Sequence, residues 1–409
     1  MTVETTPRGE RTDLAPADLA RVAWAVNGLE VETPSWGYGN SGTRFKVFPQ
    51  PGVPRDPFEK VEDAATVRRF TGVARSIALH IPWDRVDDYA MLATFARERG
   101  VSIGGINSNT FQDEDYKFGS LCHPSSEVRQ KAVAHILECC DIARQTGSTI
   151  VKVWLADGTN YPGQDDFRAR RRRLIDSLRE IYPALPDGAR LLLEYKFYEP
   201  AFYQTDVQDW GQALSVCEQV GDRAHVCVDT GHHAMGVNIE QIVAILLQEG
   251  RLGGFDLNDK KYGDDDLMVG SIDPYQLFRI CHELVKARED EADSIAWDNV
   301  RNVVYMLDQC HNIEPKLPAV IRSVMNLQEA FAKALLVDLA ALRAAQAACD
   351  VLEANRLLKD AYDTDVRPLL ARARADAGLP EDPYRAYLAS DEQRRREETR
   401  VGGVAAGWQ

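Results

Sequence analysis

Eight short apolar runs, separated by longer helix-patterned stretches, constrain this chain more than any other feature. They are LEVETPSW (29–36), SIALHIPW (76–83), SIGGINSN (102–109), TIVKVWLAD (149–157), RLLLEYKF (190–197), HVCVDTG (225–231), LGGFDLND (252–259) and NVVYMLDQ (302–309). A typical intervening stretch is SEVRQKAVAHILECCDIARQTG. There Val128, Ala132, His135, Ile136, Cys139 and Ala143 recur at helical spacing, and Gly147 stands where a C-cap glycine belongs. Strand and helix in alternation imply parallel pairing through crossover helices, and near-continuous apolar strands imply a sheet covered on both faces. Eight strands is the number that closes a (β/α)8 TIM barrel. The competing open, doubly wound sheet calls for a GxGxxG turn after its first strand. GYGNSGTRF lacks that register and runs into a proline-rich loop over 37–57, so the α/β barrel is the expected fold.

Beyond the eighth run the character changes. Residues 317 to about 378 are almost glycine-free and rich in Ala, Leu, Arg, Glu and Asp, which predicts two or three helices. The division expected is an N-terminal extension (1–28), the catalytic barrel (29–316), a C-terminal α-helical extension offering oligomer contacts (317–390), and a flexible tail (391–409) that opens on the charge run DEQRRREETR.

A net charge of −15 argues against nucleic acid or an anionic membrane as partner. No window approaches the ~18–20 apolar residues of a membrane helix. The first residues lack the basic-then-apolar pattern of a signal peptide, and the eight cysteines contain no CxxC pair. A cytoplasmic protein with reduced, buried thiols is the expectation.

In a barrel, chemistry is carried at the C-terminal ends of the strands. Polar residues gather there: Trp154 and Asp157 after the fourth run, Glu194 and Lys196 on the fifth, Asp229 and His232-His233 on the sixth, Asp256 and then Asp264-Asp265-Asp266 after the seventh, and Asp308 on the eighth. Several carboxylates converging on one volume repel one another and lose hydration, so they need cations. Lys196 alone is too little for six acids, whereas divalent metal is enough. Carboxylates with one imidazole and no thiolate suit Mn2+, Mg2+ or Co2+. His233 is expected to turn into the packing, and His123, His135 and His282 to lie in helices.

The segments PSWG (34–37), HIPWD (80–84), NSNTF (107–111), VWLADGTNYPGQ (153–164), EYKFYEPAFY (194–203), VDTGHHA (228–234), GGFDLNDKKYGDDDL (253–267) and DQCHN (308–312) resemble, in order, those of bacterial L-rhamnose isomerases within the xylose-isomerase-like metal-dependent sugar isomerases. The resemblance implies two divalent ions per subunit, Mn2+ foremost with Co2+ or Mg2+ as alternatives. One would be held by Glu194, Asp229, Asp256 and Asp308, the other by His232, Asp264 and Asp266, with Asp229 bridging. It implies that Trp36, His80, Trp83, Trp154 and Lys196 contact the sugar, that Phe45 closes a neighbouring subunit's pocket, and that the protein is a homotetramer. The catalytic residues it points to are Asp308, Lys196 and His80. Asp256 departs from the resemblance, because the rhamnose isomerases carry a histidine ligand there.

The implied reaction moves hydrogen between C1 and C2 of an aldose, L-rhamnose to L-rhamnulose foremost, as a hydride or as a proton with Asp308 as base. The alternatives are a ketose 3-epimerase on the same barrel and a non-catalytic sugar-binding barrel.

Overall fold

Each of the eight apolar runs supplies one strand, and the strands close in chain order into a parallel barrel. They are β1 (Val31–Pro34), β2 (Ala74–Ile81), β3 (Ser102–Ser108), β4 (Ile150–Trp154), β5 (Arg190–Glu194), β6 (Ala224–Asp229), β7 (Leu252–Leu257) and β8 (Val304–Leu307). The structure is a computed structural model that describes residues 16–41, 47–155, 157–198 and 206–402, with side chains from 19 onward. β1 pairs with both β2 and β8, which completes the ring.

The two-residue period of a strand sorts its side chains between two environments. Val151 and Val153 of β4, Leu191 and Leu193 of β5, and Val226 and Val228 of β6 face outward into the large apolar layer between sheet and helices. The alternate residues face the barrel axis, where Ile150, Leu192 and Cys227 form a small apolar plug. One or two positions further along those same inward rows stand Lys152, Glu194 and Asp229. On these strands the lumen passes from an apolar plug to charged residues at the C-terminal end.

The helices between strands start and stop on local signals. Asp88, Asp166, Asp209, Asn238 and Asp273 each cap the first turn of the helix that follows, and Gly147 in the left-handed region (φ 78°) ends helix Ser126–Thr146.

The C-terminal region differs from the expectation in two ways. Residues 316–376 form four helices, Lys316–Ala334, Leu339–Ala347, Val351–Asp363 and Arg367–Asp376. Asp338 and Asp350 each accept a backbone N–H of the helix they open, and these caps divide what reads as a longer helical run. The second difference concerns the expected flexible tail. Residues Glu392–Thr399 are helical, and the side chains of Arg396 and Arg400 are buried. Asp63, fully buried on helix Pro57–Thr71, accepts from Arg396 Nε at 2.7 Å and Arg400 Nη1 at 2.8 Å. A buried carboxylate needs such partners, so the charge run is a clasp on the barrel up to residue 400. Residues 403–409 lie outside the described residues.

All eight cysteines are free thiols and only Cys349 is exposed. Among the described residues no helix is long and apolar enough to cross a membrane.

Candidate metal centre and active site

Glu194 ends β5, Asp229 ends β6, Asp256 lies on β7 and Asp308 follows β8 by one residue. Parallel register places these four strand ends side by side, with Asp229 directly opposite Asp256. One carboxylate oxygen from each of the four comes within 4.8 Å of the other three. Burial makes this costly: desolvation, reinforced by the neighbouring acids, pushes the carboxyls of Glu194 and Asp308 well above their ordinary range. Desolvation raises Asp229 in the same direction, and the charges of Asp264, Glu194 and Asp308 outweigh the opposing effect of His232.

A second group shares two of these residues, because His232 also comes within 4.8 Å of Glu194 and Asp229. Its Nδ1 lies 3.0 Å from the Tyr195 carbonyl and 3.2 Å from Glu194 Oε1; its Nε2 lies 3.2 Å from Asp264 Oδ2 and 3.7 Å from Asp229 Oδ2. A proton on Nδ1 donated to the Tyr195 carbonyl leaves the Nε2 lone pair facing Asp264 and Asp229, the arrangement that orients imidazole toward a cation. Burial disfavours a charged ring, yet Asp229 and Asp264 outweigh it and raise the pKa of His232.

The Asp264–Asp266 step turns inward as a pair. Asp264 Oδ2 accepts from Lys196 Nζ at 2.8 Å. Burial works against its ionisation, but Lys196 and His232 hold its carboxyl well below the ordinary range. Asp266 is buried in the left-handed region (φ 49°), a conformation that aspartate tolerates better than most residues. Its carboxyl, raised by desolvation and by Asp264 and Asp308, accepts from Cys310 Sγ at 3.1 Å. Asp265 points away and accepts the backbone N–H groups of Lys261 and Tyr262.

Aromatic rings wall the pocket. His80 stacks on Trp83 with ring centroids 3.7 Å apart and meets the edges of Trp36 and Phe111. Phe111 in turn packs edge-on against Trp154 at 4.7 Å. His80 is positioned from below by Asp84, which accepts the His80 backbone N–H at 2.7 Å and pairs with Lys60 at 2.5 Å. Burial keeps the His80 ring neutral, and its buried Nδ1 has no hydrogen-bond partner among the described residues. Trp36 lines the pocket and also donates from Nε1 to Asp308 Oδ1 at 2.7 Å, which fixes that carboxylate.

The structure thus brings Trp36, His80, Trp83, Trp154, Glu194, Lys196, Asp229, His232, Asp256, Asp264, Asp266 and Asp308 to one end of the barrel. Phe45 lies outside the described residues. Asp157 stands apart, accepting from Ser120 and Cys122 backbone N–H groups and holding the loop before helix Ser126–Thr146. His233 turns away to Tyr195, with 2.7 Å between Nε2 and the phenol oxygen, and burial lowers its pKa to about 3. His123 occupies a loop, not a helix.

Four residues escape the reading from strand ends. Lys152 is a second buried cation, paired with Asp256, so Lys196 is not alone against the acids. Phe111 completes the aromatic wall. Asn258 donates from Nδ2 to both oxygens of Asp229, at 3.0 and 3.2 Å. Cys310 touches Asp266, although its position in the sequence suggests no part in the site. Lysine inside IVKVW, two residues before Trp154 on the same face, is the signal that was available for the first.

The family model for the xylose isomerase-like TIM barrel matches residues 64–311, from helix Pro57–Thr71 to just past β8. A Rhizobium meliloti (strain 1021) protein named a probable sugar isomerase is 43% identical over 406 residues, spanning 98% of this chain and 93% of its own. A Mesorhizobium japonicum protein of the same designation is 44% identical over 387 residues, 93% of this chain and 88% of its own. Among solved structures, a D-psicose 3-epimerase from Clostridium cellulolyticum H10 with D-tagatose superposes with TM-score 0.51 at 14% identity, covering 75% of this chain and 97% of that one. An E. coli 3-keto-D-glucoside 4-epimerase gives 0.50 at 14%, covering 73% and 99%. At that identity the structural likeness concerns the fold. The extent of the family match and the long alignments to both relatives establish that this chain belongs to the xylose isomerase-like TIM barrel family.

Proposed function

We propose that this protein is a divalent-metal-dependent sugar isomerase that interconverts an aldose and its ketose, with L-rhamnose and L-rhamnulose as the leading pair. The observation that carries the reading is the buried convergence of Glu194, Asp229, Asp256 and Asp308 beside the His232 group, under an aromatic wall. The names of the two relatives support the reaction class.

The donor set fits divalent ions. Burial and mutual repulsion raise the pKa values of Glu194, Asp229, Asp266 and Asp308, a cost that a doubly charged ion offsets, and carboxylates with one imidazole favour Mn2+, Mg2+ or Co2+. Glu194, Asp229, Asp256 and Asp308 would hold one ion; His232, Asp264 and Asp266 would hold the second, with Asp229 shared. When bound, such ions supply Lewis-acid polarisation of a carbonyl and lower the pKa of a nearby water.

The remaining work falls to side chains of the chain itself. Neutral His80 offers Nδ1 to a sugar hydroxyl, held in place by its stack on Trp83. Lys196 supplies a fixed positive charge where negative charge develops on oxygen. The rings of Trp83, Phe111 and Trp154 pack on the apolar face of the sugar and exclude water. Trp36 keeps Asp308 from rotating. A homotetramer, with Phe45 reaching a neighbouring pocket, completes the proposal.

Among the described residues, every carboxylate lining the pocket belongs to one of the two ion groups, so none of these stands ready as an unencumbered base. This favours hydride movement between C1 and C2 over an enediol. The test is Mn2+-loaded protein with L-rhamnose in heavy water, followed by NMR. L-rhamnulose without deuterium at C1 is the expected product. Solvent deuterium there would assign proton transfer instead, and in a parallel incubation with L-rhamnulose a 3-epimerised ketose with no aldose formed would replace the isomerase reading.

A further inference from the structure

Lys152 stands in the barrel lumen directly behind the acid cluster, 4% exposed, on the inward row of β4. Its Nζ donates to Asp256 Oδ1 and lies 3.7 Å from Met306 Sδ. Asp256 therefore has one oxygen engaged by an ammonium while its carboxylate takes part in the four-acid group. On the other side of Lys152, toward the base of the barrel, lies a further buried acid, Glu32 of β1. Its Oε2 accepts from Gly105 N at 2.9 Å and from Ser76 Oγ at 3.2 Å. β3 is built to admit this carboxylate: a Cβ on Gly104 would fall 1.4 Å from Glu32 Oε2. The lumen thus holds two further buried charges, Glu32 and Lys152, besides the acid cluster.

We propose that Lys152 is a positioning residue for metal binding: it holds Asp256 with a single oxygen directed at the ion and offsets the negative charge that an aspartate brings to this strand position. The inference rests on the acid cluster being an ion site. Two consequences follow from its chemistry. With one oxygen of Asp256 occupied, the site favours small, octahedral ions over Ca2+, which takes more oxygens and bidentate carboxylates. Lysine and aspartate at these positions are also a matched pair, so exchanging the acid for a neutral imidazole strands a cation beside the ion unless the lysine goes too.

The experiment measures Mn2+ and Ca2+ dissociation constants by titration calorimetry on the full-length, chelator-stripped protein and on Lys152→Met, Asp256→His and the double variant. Asp256→His is expected to weaken Mn2+ binding at least 10-fold, and adding Lys152→Met to it to recover Mn2+ binding to within about 3-fold of the parent. Lys152→Met alone is expected to lower the Mn2+/Ca2+ preference at least 10-fold. If Lys152→Met fails to fold, the comparison of Asp256→His with the double variant still decides, because the double variant leaves no ammonium stranded beside the ion site. Equal Mn2+ binding by those two, or an unchanged preference in Lys152→Met, would overturn the inference while leaving the ion site standing. A parent protein that takes up no divalent ion would overturn both.

Discussion

Chelator-stripped protein should convert no aldose at a measurable rate, and should melt several degrees below the Mn2+-loaded protein, with both properties restored by added Mn2+, Co2+ or Mg2+. The expectation follows from burial. Glu194, Asp229, Asp266 and Asp308 have carboxyls raised above their ordinary range by desolvation and mutual repulsion. In the ion-free fold, between the ordinary and the raised pKa, these groups hold more protons than they do in the unfolded chain. Their contribution therefore becomes more destabilising as pH rises through and above the ordinary carboxylate range. A divalent ion replaces those protons, so its stabilising effect should grow in the same direction. At one hundred times Kd each site contributes about 2.7 kcal/mol. Thermal melts at pH 5 and pH 8, with and without Mn2+, measure this directly: the shift produced by Mn2+ should be larger at pH 8. A shift that is equal at the two values, or larger at pH 5, would mean that the acids are not the ligands.

The second large effect belongs to Asp229. It is common to both acidic groups, and two donors aim it through three contacts: Gly231 N at 2.6 Å on Oδ1, and Asn258 Nδ2 on both oxygens. Asp229→Ala should lower kcat/KM on the order of 10^3-fold or more, equivalent to about 4 kcal/mol of transition-state stabilisation. Metal content should fall from two ions per chain to one or none. The same substitution at Asp265, an acid on the loop that faces outward, provides the control and should leave activity within about 3-fold. Asn258→Ala should fall between them, with a loss of 10–100-fold in metal affinity on the order typical of groups that orient a ligand. Steady-state kinetics with elemental analysis of each variant reads all three. Full activity in Asp229→Ala would show that the two groups do not work as a shared centre.

The barrel was legible because its signal is repeated eight times: six strands lie within the apolar runs, and β2 and β6 begin two residues and one residue before theirs. Glu194, Asp229, Asp256 and Asp308 were legible for a related reason: a carboxylate ending an apolar strand has no stable place in a barrel unless something there binds it. Lys152 was hidden by the same logic. It sits mid-strand in IVKVW, ahead of the strand end where polar residues gather, and its partner Asp256 is 104 positions away. Phe111 and Asn258 act through contacts with Trp154 and Asp229 that only the closed ring creates. The clasp of Arg396 and Arg400 on Asp63 was illegible too, because an arginine-rich run looks solvated until a buried acid more than 330 positions away is placed beside it. Local pattern reports which residues are costly to bury; pairing across the barrel decides what offsets that cost.

The most direct measurement of the central claim is anomalous diffraction at the manganese edge from crystals grown with Mn2+. Two peaks per chain are expected, one among Glu194, Asp229, Asp256 and Asp308 and the other beside His232, Asp264 and Asp266. A map without a peak at the mouth of the barrel would contradict the claim.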